Sequence, residues 1–142
     1  MIMGKSEKKS IRFIGEEKFI FGIRELETQL HFLLSDGGDK IICEKKGKGI
    51  IIQKYIGKDK TMIVIPSEIE GLPVTAIGYG AFVLQDCVKK VVIPKSVKKI
   101  EEMAFVGKFG LTIACEAMWK PLGWSSKWNT FNYHVRWGYK GE

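Results

Sequence analysis

At 142 residues the chain has room for one domain with a modest core. Its apolar content of 45% is ordinary for a globular protein, and no apolar run approaches a membrane span, so no membrane insertion is expected. The formal charge of +7 is spread along the chain, with 13 basic and 9 acidic residues in 1–62 and 10 and 7 in 63–142, which excludes a basic tail.

The N-terminal stretch MIMGKSEKKSIRFIG is basic but carries no apolar core and no small-residue cleavage site. It does not read as a secretory signal. The widely spaced Cys43, Cys87 and Cys115 do not suggest a disulfide framework, and free thiols fit a reducing, cytoplasmic setting. In EEKFIFGIRELETQLHFLL (residues 16–34) two patterns compete. Ile20, Ile23, Leu26, Leu30 and Leu33 stripe a helix, whereas Phe19/Phe21/Ile23 and Leu30/Phe32/Leu34 alternate as strands do. The division expected is helix over Glu16–Glu27 and strands after Gln29, turning at Asp36–Asp39. Lys40–Cys43 and Gly49–Tyr55 then make a hairpin across Glu44–Gly49. This segment would cover the open end of the first repeat.

The stretch from residue 62 onward is repetitive. Met62–Pro66 (MIVIP) matches Lys90–Pro94 (KVVIP), and Ile77-x-x-x-Ala81-Phe82 matches Ile100-x-x-x-Ala104-Phe105 at a spacing of 23 residues. The first copy carries five extra residues around EGLPV, and a third, decayed copy starts at Leu111 with alternating Ile113 and Cys115. Each copy predicts a short strand ended by proline, a second extended segment at the Ile, and a tight helical turn at Ala-Phe. A period in the low twenties means stacked units that cannot bury an apolar face alone.

The fold class expected is mainly β with short helical turns: a small solenoid of about two and a half repeats with caps at both ends. Residues 1–57 form the N-terminal flank and cap, 58–117 the repeats, and 118–142 a Trp-rich cap, all in one structural domain. The shared phase predicts a core ladder of Ile63/Ile65, Val91/Ile93 and Ile113/Cys115. Trp119, Trp124, Trp128, Phe131, Tyr133, Trp137 and Tyr139 crowd the tail. Large rings there would close the last apolar layer.

IPSEIEGLPVTAIGYGAF (Ile65–Phe82), VKKVVIPKSVKKIEEMAF (Val88–Phe105) and the closing CEAMWKPLGWSSKWNTFNYHVRWG (Cys115–Gly138) resemble the BspA-type leucine-rich repeats of bacterial surface antigens. The resemblance covers roughly residues 49–138. It departs where the family often places a cysteine three residues after Ala-Phe, since Gln85 and Lys108 stand there. It implies a leucine-rich-repeat solenoid, a non-catalytic, adhesin-like protein-binding role, and a surface or secreted address.

The residues themselves offer little chemistry. His31 and His134 have no metal-ligand spacing to a cysteine or acid, and Gly78–Gly80 lacks the Lys-Ser/Thr of a phosphate loop. Glu101–Glu102 reads as solvated charge, and Cys115 as an inward strand residue. No enzyme, metal or cofactor is expected. The candidate partner-binding face is the set sent outward by strand alternation: Met62, Val64, Lys90, Val92, Thr112 and Ala114, apolar in the middle with a lysine beside it. The N-terminal segment folding across this face is the competing reading. A candidate basic stripe, Lys89, Lys90, Lys95, Lys98 and Lys99, suits an anionic polymer or nucleic acid as the alternative partner. Glycan binding by the C-terminal aromatics is a further alternative.

Overall fold

The computed structural model describes residues 24–26, 29–36, 39–57 and 60–141. It opens with a meander: β1 (Arg24–Leu26), β2 (Gln29–Asp36), β3 (Asp39–Lys46) and β4 (Gly49–Ile56) pair antiparallel in order. The strand readings after Gln29 and the Asp36–Asp39 turn hold. So does the next hairpin, which turns more tightly than the glycine spacing suggested, at Gly47–Lys48. The helix over Glu16–Glu27 does not hold at its C-terminal end. Arg24–Leu26 is extended because β2 lies alongside, offering ladder hydrogen bonds in the register Leu26↔Gln29. Residues 16–23 and 27 lie outside the described residues, as does any path of the N-terminal segment across the later sheet.

From β4 onward the pairing becomes parallel and the chain coils. The strands are β5 (Met62–Val64), β6 (Glu68–Ile69), β7 (Leu72–Ile77), β8 (Phe82–Val83), β9 (Lys90–Ile93), β10 (Lys99–Ile100), β11 (Phe105–Val106), β12 (Thr112–Cys115) and β13 (His134–Trp137). One side of the coil is a four-stranded parallel sheet ordered β5-β9-β12-β13. A second side runs β4-β7-β10, and a third stacks Tyr55 of β4 on β8 and β11. This is a β-solenoid. No residue described lies in a helix.

The expected ladder is present. Ile63 pairs with Val91 and Val91 with Ile113, while Ile93 pairs with Cys115, and all five are 0–1% exposed. Ile65 is equally buried and donates its N–H to the Val92 carbonyl at 3.0 Å. The helical turn expected at Ala-Phe is instead a pair of short strands, with Phe82 opposite Phe105 in parallel register. The reason is the ring stack. Tyr55, Phe82 and Phe105 lie with centroids 5.3 Å apart at 25°, close to the separation of neighbouring strands, so extended backbone brings each ring over the last.

The five extra residues of the first copy are not a loop. β6 turns back on β7 across Glu70 and Gly71, both at positive φ (57° and 82°), where glycine fits readily and glutamate is strained. The tail also does more than cover an end. Trp124 makes a parallel bridge to Ile100, Trp128 meets Phe105 edge-on, and β13 adds a strand beyond β12, so residues after Cys115 continue the coil.

Candidate functional site

The outer surface of the β5-β9-β12-β13 sheet is built by alternation. With Ile63, Val91, Ile113 and Val135 in one row inside, register sets Met62, Lys90, Thr112 and His134 in a row outside. A second outer row holds Val64, Val92, Ala114 and Arg136. The six residues expected on this face are therefore brought together. Their exposure is uneven: Met62 is exposed, Val64, Lys90 and Thr112 are half-buried, and Val92 and Ala114 are buried.

The expected bare apolar centre is thus corrected, and the tail returns to this face. After β13, the Tyr139 N–H donates to the Cys115 carbonyl at 2.8 Å, bringing the chain back beside β12. The Lys90 ammonium donates to the Tyr139 hydroxyl at 3.1 Å and sits 4.6 Å from the ring centroid, while Arg136 approaches the ring at 5.6 Å. The ring is held between a cation on β9 and a cation on β13, with Ala114 on the strand between them. Such cation–aromatic contacts at a surface contribute on the order of 0.5–1 kcal/mol each. His134, Arg136 and Tyr139 were missing from the expected face. Their signal was the alternation of His134-Val135-Arg136-Trp137, overshadowed by the tryptophan count.

The basic stripe is not one stripe. Lys90 lies on this face, Lys89 just before it, Lys95 past Pro94 at the next corner, and Lys98 and Lys99 at the start of the second side. They follow one coil around the solenoid rather than running along the stack. Lys99 also faces Glu101 at 3.4 Å across exposed side chains, a pairing worth little in water.

The tail aromatics divide. Trp124 and Trp128 are buried, and the Trp124 indole N–H donates to the Val97 carbonyl at 3.1 Å. Trp119, Phe131 and Trp137 are exposed. The Tyr133 hydroxyl closes a corner by donating to the Gly107 carbonyl at 2.8 Å and accepting from the Gly107 N–H at 2.7 Å.

Cys115 is buried, and desolvation pushes its thiol up to about 12. Cys43 is raised by the same cause. Neither is a thiolate near neutral pH, so both act as packing residues. Cys87 is half-buried and its thiol donates to the Lys60 carbonyl at 3.2 Å. His31 falls in β2 and His134 in β13, strands of different sheets. Among the described residues no three of His, Cys, Asp and Glu are grouped to hold a metal ion. Nor is any helix there long and apolar enough to cross a membrane.

Comparison of the chain with protein-family models, with curated proteins and with solved structures returned no match.

Proposed function

We propose that the chain is a non-catalytic protein-interaction module of the BspA-type leucine-rich-repeat kind, whose protein partner docks on the outer face of the β5-β9-β12-β13 sheet. The observation that carries this reading is the outer row Met62, Lys90, Thr112 and His134, held in unbroken register on four stacked strands. A row held in register that mixes a thioether, a hydroxyl, an amine and an imidazole loses little entropy on docking. Stacked-repeat proteins commonly bind through such surfaces.

The test replaces Met62 and Thr112 together with glutamate, since both side chains point outward and neither is core. Captured proteins are identified by mass spectrometry with the intact chain and the variant as baits. The reading expects one protein retained by the parent and lost with the variant, at an unchanged melting temperature. A partner held equally by both baits would overturn the assignment of the face.

A second reading, an anionic polymer as partner, is favoured by Lys90, His134 and Arg136 lying on the same face. It predicts retention on heparin or DNA that falls steeply between low and physiological salt. The glycan alternative now rests on Trp119, Phe131 and Trp137, because Trp124 and Trp128 are turned into the core.

A further inference from the structure

The corner that joins the first side of the solenoid to the second differs between coils. From Ile93 to Ile100 the chain advances 7 residues, and its corner residue Val97 is 1% exposed. From Cys115 to Trp124 it advances 9 residues, and the longer turn carries Met118, Trp119 and Leu122 outward at 63%, 74% and 99% exposure.

This is not a loose loop. The Glu116 N–H donates to the Ile93 carbonyl at 3.0 Å, and the Ala117 carbonyl accepts from the Gly138 N–H at 2.8 Å. The Lys120 ammonium donates to the Trp124 carbonyl at 3.0 Å, and the Ser125 N–H donates to the Ile100 carbonyl at 2.8 Å. At Gly123 the backbone lies so close to the Lys98 carbonyl that an added Cβ would collide with it. The turn is pinned at both ends while three large apolar side chains stand in water. An apolar knob of this kind usually has a use.

Three lysines and one carboxylate, Glu116, surround the knob. Lys95 is one coil below, its N–H bonded to the Glu116 carboxylate at 3.0 Å. Lys98 is against Gly123, and Lys120 lies within the turn. All three lysines are exposed. The knob is convex, with Leu122 almost wholly in solvent, so it offers no groove for a partner segment to fill.

We propose that the Met118–Leu122 turn is a docking site for an anionic lipid surface, with Trp119 and Leu122 entering the headgroup boundary and Lys95, Lys98 and Lys120 facing the lipid charges. Tryptophan is favoured at that depth, leucine just beneath it, and each nearby lysine adds electrostatic attraction to an anionic leaflet. An apolar tip with three exposed lysines nearby matches a surface that is charged on the outside and apolar within. The site shares no residue with the sheet face and does not depend on it.

Co-sedimentation of the full chain with vesicles tests this. One set is phosphatidylcholine alone, and the other is phosphatidylcholine mixed equally with phosphatidylglycerol. The proposal expects binding to the mixed vesicles that weakens as salt rises. The variant Trp119→Ala/Leu122→Ser should lose roughly tenfold or more of that binding without a change in melting temperature, and Lys95→Gln/Lys98→Gln should lose it mainly at low salt. No binding of the parent to mixed vesicles would overturn the proposal. So would equal binding by the Trp119→Ala/Leu122→Ser variant, or equal binding to both vesicle types. If vesicles bind nothing and the same variant instead dissolves a self-association seen by sedimentation velocity, the knob is a protein contact and the lipid assignment falls.

Discussion

The two ends of the solenoid meet the same difficulty in different ways. A stack of parallel strands leaves a bare ladder edge and an uncovered apolar layer at each end. At the N-terminal end, β4 pairs with β7 through Ile50↔Val74 and Ile52↔Ile77 and with β8 through Tyr55↔Phe82. The backbone edge is covered by backbone, and β3 and β2 extend the sheet further. At the C-terminal end of the same side, β10 receives, among the described residues, the single Trp124 bridge, and the layer is closed by rings. Trp124 and Trp128 meet at 4.8 Å, and Trp137 lies 5.8 Å from Trp124 and 6.1 Å from Trp128. On this second side one end is held by a hydrogen-bonded ladder and the other mainly by side-chain packing, while on the first side β13 carries the ladder on beyond β12. The C-terminal end should therefore be the more sensitive to loss of a side chain.

Removing the chain after Glu116 breaks the comparison most severely. It strips β12 of β13 and takes Trp124 and Trp128 off Ile100 and Phe105. The expected outcome is loss of cooperative melting and aggregation, read by circular dichroism and size-exclusion chromatography.

Trp128→Ala comes next. It removes a 5%-exposed ring from the end of the aromatic stack and should cost about 3–5 kcal/mol in denaturant unfolding. Ile50→Val, at the ladder-held end, should cost only about 0.5–1.5 kcal/mol. A smaller loss at Trp128 than at Ile50 would reverse the contrast between the ends.

Alkaline pH acts at both ends with the same sign. Each buried thiol, Cys43 in β3 and Cys115 in β12, has a folded pKa raised by desolvation. The unfolded chain releases its thiol protons first, so the folded state binds more protons as pH rises. For Cys115 the stabilisation is complete below the ordinary value of 9.0 and is lost as pH climbs towards about 12, at up to about 1.4 kcal/mol per pH unit. Melting temperatures should fall across that window and fall less steeply in Cys115→Ala. Near neutral pH, Cys87 should react with a thiol reagent well before either buried thiol.

The smallest effect concerns matching corner positions in successive coils. Gly80 has φ 64° and Met103 has φ 60°, and the Gly80 N–H donates to the Met103 carbonyl at 3.0 Å. Gly80→Ala should cost about 1 kcal/mol, because a Cβ is unfavourable at this φ. Met103→Gly should change stability by less, since the relief of strain is offset by a more disordered unfolded chain.

The ladder was legible in the sequence because in-phase stacking puts Ile63, Val91 and Ile113 at matching places in successive copies. The Phe82 and Phe105 strands were not, since two residues carry no periodicity and their conformation is set by the ring on the next coil. Alternation identified the outward set from Met62 to Ala114. It could not show that Val92 and Ala114 are buried, nor that Tyr139 returns to this face from 25 residues beyond Ala114. Composition alone groups the tail tryptophans as one cap. Only the length of the turn after Cys115 separates Trp119, which points out, from Trp124 and Trp128, which point in.

The central claim is that coils are stacked in register with β9 between β5 and β12, so that Val91 lies inside and its partner row outside. Thermal unfolding of Val91→Asp tests it most directly, with Thr112→Asp as the outward control. Val91 is 0% exposed, and a carboxylate there without a partner should cost several kcal/mol, enough to abolish the folded state, while Thr112→Asp should melt within a few degrees of the parent. A Val91→Asp chain that stays soluble and melts as the parent does would contradict the register and the stack built on it.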